Sequence, residues 1–415
     1  GSTNYKLGVI SGLNGAHSFK FDTPLDKKDA VSNASSQSYK YVRNLILQRS
    51  VLDADSDIKA VLSSAEVSAI KEPTVYGLAI SSTKGAVTNA ETGININGKT
   101  LTADRTDSGS GAIGLYTNFG TINVNSAAGR QNIAMRVDKG SVPTDAPGTP
   151  KAINGGNIYL DGDSSIGIVG TNADVKNTGN IETTTSKTII NGIGMATRGG
   201  VLENSGTINL KGSGVSSNIG VYMVKGTSNP SGTLASTSII KVKGDDSTGA
   251  LISNGTLNYG GNITAEGNGV SGLIIGDNAS NTTNATITNN GLITVNNGTA
   301  AAGIYTYTDN SSGTPVTVKK GSYGIVVGKN SKLISDGTNN INVNIDVKGT
   351  ESIGLYAGEN AKLEVKDHTV NANDGAVNYD ADKNATLTLK GTGTAHTGKK
   401  SLLFYLGENG TGKIS

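Results

Sequence analysis

An all-β fold, a parallel β-helix of about 13 coils, is predicted by three features of this sequence. The first is composition. Gly supplies 58 of 415 residues, about twice its usual share of ~7 %, yet Pro is rare and no G-X-Y period exists, so collagen is excluded. Aromatic residues make up 4 % with no Trp, which suits a thin aliphatic core better than a large globular one. Charged residues are 16 %, against about 25 % in a typical soluble domain. Polarity comes instead from Asn, Thr, Ser and Gly, which favour strands and turns. The second feature is a recurring phrase, apolar–Gly–apolar. The third is a companion phrase that alternates apolar and polar residues with period two.

Aligned on the central position, the first phrase recurs at Gly77, Gly114, Ala134, Gly167, Gly194, Gly220, Gly249, Gly272, Gly303, Gly324, Gly354, Gly375 and Leu403. "ESIGLYAGENAKLEV" from Glu351 and "GSYGIVVGKNSKLIS" thirty residues earlier show how close the copies are. The companion phrase reads "GTINVN" at 120–125, "GTINLK" at 206–211, "GNITAE" at 261–266 and "GLITVN" at 291–296. Its alternation predicts a strand with one buried face. Corner chemistry such as "GKN" and "GEN" separates the phrases. Three short strands per 20 to 33 residues predict one solenoid coil, whose inner face is buried only by stacking on its neighbours. At about 4.8 Å per strand this predicts a rod on the order of 60 Å. A β-propeller needs blades of about 40 residues and aromatic signatures that are missing. The recurring Gly predicts a bend or a close backbone approach rather than a phosphate cradle, because no helix start follows it.

Residues 1–72 carry few repeat marks and are predicted to form an amino-terminal cap; 73–415 form the β-helix. "QSYKYVRNLILQRSVLDADSDIKAVLSSAEVSAI" holds partial helical stripes at Tyr41, Leu45 and Ile46 and at Ala60, Val61, Leu62, Ala65 and Val67. Two short helices covering the open end of the solenoid are therefore expected.

The formal net charge is +2, from 35 basic and 33 acidic residues. With no basic run interleaved with aromatics, nucleic acid is not an expected partner. No run of 18 or more apolar residues is present, so direct membrane insertion is not expected. Zero Cys excludes disulfides and thiolate metal sites. The opening "GSTNYKL" has no initiator Met or charged-then-apolar leader, and Gly1-Ser2 reads as an expression scar on an excised fragment.

No catalytic constellation stands out, and neither an enzyme activity nor a cofactor is expected. His17, His368 and His396 lack partners at metal-ligand spacing. "TDSGSG" at 106–111, with Ser108, resembles a serine-protease nucleophile segment, but too little chain precedes it for that double barrel. A loop is the better reading. Asp161/Asp163 and Asp245/Asp246 are the acidic pairs that a polysaccharide-active β-helix enzyme would use, and they sit where Asp is also a common turn former. The phrases of pectin hydrolases and of calcium-binding nonapeptides are missing. Binding candidates lie in oversized corners. "VDKGSVPTDAPGTPKA" at 137–152 is stiffened by Pro143, Pro147 and Pro150. "GIYTYTDNSSGTP" at 303–315 sets Tyr307 beside Asp309, a pairing suited to sugar stacking and hydroxyl bonding. Tyr305 shares a repeat position with Tyr116, Tyr222, Tyr356 and Tyr405, which predicts an outer stacking ladder.

"SIGLYAGENAKL", "SYGIVVGKNSKL" and "ENSGTINLKG" resemble the passenger repeats of large type V autotransporters, most similar to fusobacterial outer-membrane adhesins. The resemblance covers roughly 77–415. It implies a right-handed solenoid, a monomer, and export to the cell surface with anchoring through a carboxy-terminal outer-membrane barrel that is absent here. It also implies a role in adhesion and virulence, with a host-cell protein or glycan, or a partner bacterium, as ligand. The family offers no shared ligand residues to carry over. The expected function is a surface adhesin fragment recognising its partner through projecting loops. A polysaccharide-active enzyme and a passive stalk for a distal binding domain are the alternatives.

Overall fold

The computed structural model of the protein describes residues 151–276 and 350–415 throughout. It also describes 118, 121–124, 132–137, 322–333 and 343–347, together with the backbone of further strands. The described chain is all-β, with no helix among the described residues. It divides into two compact units, one of Gly1–Lys187, Gly194–Leu202 and Gly226–Ser228 and one of Thr188–Ile193, Glu203–Lys225 and Asn229–Ser415. Each is a parallel β-solenoid. About eight turns fall in the described region; the remainder of the expected thirteen lies outside the described residues.

Each turn carries three strands. In the second unit the companion phrase gives strands Thr207–Val215, Ile239–Asp245, Asn262–Glu266, Leu292–Asn296, Val343–Lys348, His368–Ala372 and Gly393–Thr397. Each pairs in parallel with the next. The apolar–Gly–apolar phrase gives the anchor strands Ile219–Val224, Thr248–Ile252, Ser271–Ile275, Tyr323–Val327, Ile353–Ala357, Val377–Ala381 and Leu402–Leu406, likewise parallel. A third strand closes the turn, as in Lys362–Val365, Thr386–Leu389 and Thr411–Ile414. The first unit repeats the plan: Thr121–Asn125, Asn157–Leu160 and Asn180–Glu182 stack in register, as do Ile113–Asn118, Lys151–Asn154 and Asp174–Asn177.

Period-two alternation decides which side chains fill the core. Ile240, Ile263, Ile345 and Val370 form one fully buried column, and Val242, Ala265 and Val347 the next. Leu355 and Ala357 on the anchor strand and Leu363 and Val365 on the third strand face the same interior. At roughly 1.5–3 kcal/mol per buried aliphatic side chain, these columns drive stacking that one isolated turn could not achieve.

The anchor glycines mark a close approach between turns. A Cβ on Gly324 would stand 2.5 Å from the Gly354 carbonyl oxygen and 2.8 Å from Ile345 Cγ2, both in the following turn. Gly220 and Gly249 face the same two groups, a carbonyl and an Ile side chain, of the turn that follows them. Register corrects two of the thirteen anchors, and Gly77 and Gly303 lie outside the described residues. Gly114 lies in Ile113–Asn118, which pairs with the third strand Lys151–Asn154. Gly375 is a corner residue with φ +76°; the position beneath Gly354 belongs to Asn378, since Ile353 pairs with Val377 and Leu355 with Tyr379.

Asn378 shows what a side chain at the anchor requires. In the turn that follows it, the Ile/Val column shrinks to Ala395, the partner of Val370. Into that space the fully buried amide donates from Nδ2 to the Val370 and His396 carbonyls at 2.8 and 2.9 Å, and Oδ1 accepts from Thr397 Oγ1 at 3.1 Å.

Corners repeat as strictly as strands. Before each anchor strand one residue takes positive φ: Ser217, Asp246, Glu351 and Lys400 among the non-glycines. Each is followed by a small or polar residue such as Asn218, Ser247 or Ser352, all buried. After the anchor strand, Asn330, Asn360, Asn384 and Asn409 take φ of 54–59°, a conformation Asn tolerates well. Each closes an i→i+3 turn, for example Ala361 N donating to Gly358 O at 2.9 Å. At the remaining corner of the first unit, Asn118 Nδ2 donates to Asn154 Oδ1 and Asn154 Nδ2 to Asn177 Oδ1, both at 2.7 Å.

The expected amino-terminal helices are corrected where the structure describes that segment. Leu45–Gln48, Ser50–Ala54 and Ile58–Leu62 are strands, paired in parallel with Leu78–Ser81, Gly93–Asn97 and Thr100–Arg105. The apolar tracts are four or five residues long and broken by "DADSD", a strand length bounded by turn formers. Parallel pairing overrides the helical propensity of the tract. The rest of 27–72 lies outside the described residues.

Candidate binding surface

The segment singled out at 303–315 departs from the solenoid. Tyr305–Thr308 and Pro315–Val318 form a two-stranded antiparallel sheet, with Tyr305 opposite Val318 and Tyr307 opposite Val316. The turn that carries it still pairs with both of its neighbours, Leu292–Asn296 with Val343–Lys348 of the next turn and Tyr323–Val327 with Ser271–Ile275 of the preceding one. The hairpin is thus inserted between the first and second strands of one turn without interrupting either ladder. Tyr307 is a hairpin strand residue. Asp309, Pro143, Pro147 and Pro150 lie outside the described residues, as does Ser108.

The acidic pairs brace corners. Asp161 Oδ1 accepts from Thr184 N at 3.0 Å and Oγ1 at 2.9 Å. Asp245 Oδ1 accepts from Asn268 N at 2.9 Å and Nδ2 at 3.3 Å, and Asp246 is a left-handed corner residue. Asp374 does the same for a later corner, accepting from Lys399 N at 2.7 Å. Each of these bonds ties one corner to the same corner of the following turn, 23 to 25 residues on.

The tyrosine ladder is corrected. Register sets Tyr222, Leu251, Ile274, Val326, Tyr356, Asp380 and Tyr405 in one column, so the tyrosines that share it do not adjoin. Tyr116 sits in the first unit opposite Ala152, and Tyr305 in the hairpin. Tyr356 instead packs edge-on against Tyr323, ring centroids 5.4 Å apart, and its hydroxyl donates to Asp382 Oδ2 at 2.9 Å. Burial, then the carboxylate Asp382, pushes the Tyr356 phenol far above its ordinary value.

An open groove of about 480 Å³ lies where three successive turns pass the same corner, lined by Thr350, Ala372, Asn373, Asp374, His396, Thr397 and Gly398. His396 is exposed there. Beside it in register, Asn371 Nδ2 donates to Asp346 Oδ1 at 2.8 Å. His368 is half-buried, its ring edge-on to Tyr379. Among the described residues no group of three or more His, Asp, Glu or Cys is placed to hold a metal ion. The stacked corners also carry ion pairs, Lys329 with Glu359 at 3.0 Å and Lys383 with Glu408 at 2.9 Å.

Sequence reasoning passed over two groups. The Asn118–Asn154–Asn177 ladder was legible as the recurring Asn two residues before the Gly of "NFGT", "NGGN" and "NTGN". Asn378 was hidden because "DGAV" offered a nearer glycine. Comparison of the chain with protein-family models, with curated proteins and with solved structures finds no match.

Proposed function

We propose that this chain is a segment of a bacterial surface adhesin, held at the outer membrane through a carboxy-terminal barrel in the complete protein. It recognises a host-cell protein or glycan, or a partner bacterium, without catalysing a reaction. The observation that carries this reading is the inserted hairpin. Neighbouring turns pair past it, so stacking places no demand on the sequence of 305–318 beyond its own two strands. An element freed from the fold in this way is where recognition residues can vary. Its first strand carries Tyr305 and Tyr307 two positions apart, a residue type that serves ligand contact.

The test is binding of labelled protein to epithelial cells, to other bacteria and to a glycan array, with the intact chain and with 305–318 replaced by a two-residue turn. The reading expects saturable binding by the intact chain and at least a tenfold loss in the variant, with unchanged far-UV circular dichroism. Full binding by the variant would overturn the role of the hairpin. No binding by either protein would favour a passive stalk, built from the same ladder of stacked turns.

A further inference from the structure

His368 occupies an unusual place for an ionisable group. It starts a strand of the second unit, between Val343 in the preceding turn and Gly393 in the following one. Its ring meets Tyr379 edge-on, with centroids 5.8 Å apart at 83°, and Tyr379 in turn packs on Phe404 at 4.9 Å. The ring fills the space where a Cβ on Gly393 would stand, so it is fixed between two turns. Its Nδ1 is buried with no hydrogen-bond partner among the described residues, and the same holds for the Tyr379 hydroxyl.

From this geometry we infer that His368 is an acid-sensitive latch: protonation of its ring loosens the turns formed by residues 368–415 from the rest of the second unit. The proton comes from solvent and gives the ring a second N–H bond and a positive charge. A charged ring would then lie against aromatic and aliphatic groups, which opposes burial. The nearby titratable and charged groups do not offset this. On its own segment stand Lys366 and Asp367, and the Asp367 Oδ1 already accepts from Thr392 N at 2.9 Å. The anchor strand offers Tyr379, neutral until about 12. Asp346 of the preceding strand is bonded to Asn371, and His396 of the following strand is exposed. Burial lowers the His368 pKa from 6.5, only partly opposed by the Lys366 carbonyl and Asp367. A lowered folded-state value means the unfolded turns take the proton first. Stability is therefore complete above about 6.5 and falls as pH drops below it. In a surface protein such a latch would loosen these turns in an acidified compartment.

The test is hydrogen exchange read by mass spectrometry between pH 7.5 and 5.0, corrected for intrinsic rates, on the full chain. Protection of Gly393–Thr397 and Leu402–Leu406 is expected to fall with pH, by up to about tenfold per unit, while Ile239–Asp245 is unchanged. His368→Phe keeps the ring stack and removes the proton site, and should abolish the dependence; His368→Gln serves if that variant misfolds. His396→Gln should retain it. A pH-independent wild type, or a His368 variant that keeps the full dependence, would overturn the proposal.

Discussion

Replacing Gly324 by alanine places a methyl group 2.5 Å from the Gly354 carbonyl oxygen and 2.8 Å from Ile345 Cγ2. Ordinary contact begins at 3.4 Å, so the two turns must separate by 3.4 − 2.5 = 0.9 Å at that point or the strand must tilt. The carbonyl is part of the stacked backbone and cannot rotate away as a side chain would. Overpacking of this kind costs about 1–3 kcal/mol, and the rigid contact argues for the upper half. The Asn378/Ala395 pair predicts a partial rescue, because there the column residue has shrunk in the turn facing the substituted anchor. Gly324→Ala combined with Ile345→Ala should therefore be less destabilised than the sum of the singles by about 0.5–3 kcal/mol, the range seen for touching residues. Guanidinium unfolding followed by circular dichroism gives the totals. Hydrogen exchange of Tyr323–Val327 and Ile353–Ala357 shows whether the loss is local, as expected where each turn contacts only its neighbours. A Gly324→Ala variant within about 0.5 kcal/mol of wild type, the range of ordinary surface changes, would refute the close-approach argument.

Other consequences follow from the polar ladders. Asn154→Ala removes one acceptor of Asn118 Nδ2 and the donor to Asn177 Oδ1; because Asn118 Nδ2 keeps its bond to the Asn157 carbonyl, a loss of about 1–3 kcal/mol in urea unfolding is expected. Glu359→Gln breaks the pair with Lys329, both part-exposed, and should cost no more than about 1 kcal/mol, less in 1 M salt. The buried tyrosines Tyr259, Tyr323 and Tyr356 have pKa values raised above 10.0, chiefly by burial. Their folded state holds the proton longer than the unfolded one, so stability is complete below about pH 10 and is lost as pH rises beyond it. The urea midpoint should drop between pH 9 and 11, and drop less in Tyr356→Phe.

Most of the solenoid was legible because its inner columns are written in period two. Ile122, Ile208 and Ile263 each follow a Gly-x pair, and that spacing alone places them inward. Corner chemistry was equally plain at Asn330 and Asn360, where Asn supplies the left-handed backbone. What escaped depends on contacts between turns. Gly375 and Asn378 compete for one anchor, and only pairing with Ile353 and Leu355 decides between them. Leu45–Leu62 carries residues that suit helix or strand, and parallel neighbours make the choice. The tyrosine ladder failed because sequence repeats give a column without giving its order. The candidate surface was legible as an interruption of the repeat at 303–315, but not as an antiparallel hairpin, because one strand's partner lies across a loop of no fixed period.

The fold rests on a single register of turn upon turn, and the absence of Cys permits a direct test. Asn330 and Asn360 occupy the same corner of successive turns, with Nδ2 of one 3.1 Å from Oδ1 of the other. Stacked strands about 4.8 Å apart fall within the ~4.4–6.8 Å range of Cα separations that a disulfide spans. The double variant Asn330→Cys/Asn360→Cys should oxidise quantitatively to an intramolecular disulfide in the folded protein, as measured by mass spectrometry of the linked peptides. A pair displaced along the chain, Asn330→Cys/Leu363→Cys, should not. Equal cross-linking of both pairs, or none by the first, would contradict the stacking on which the fold, the hairpin and the latch all depend.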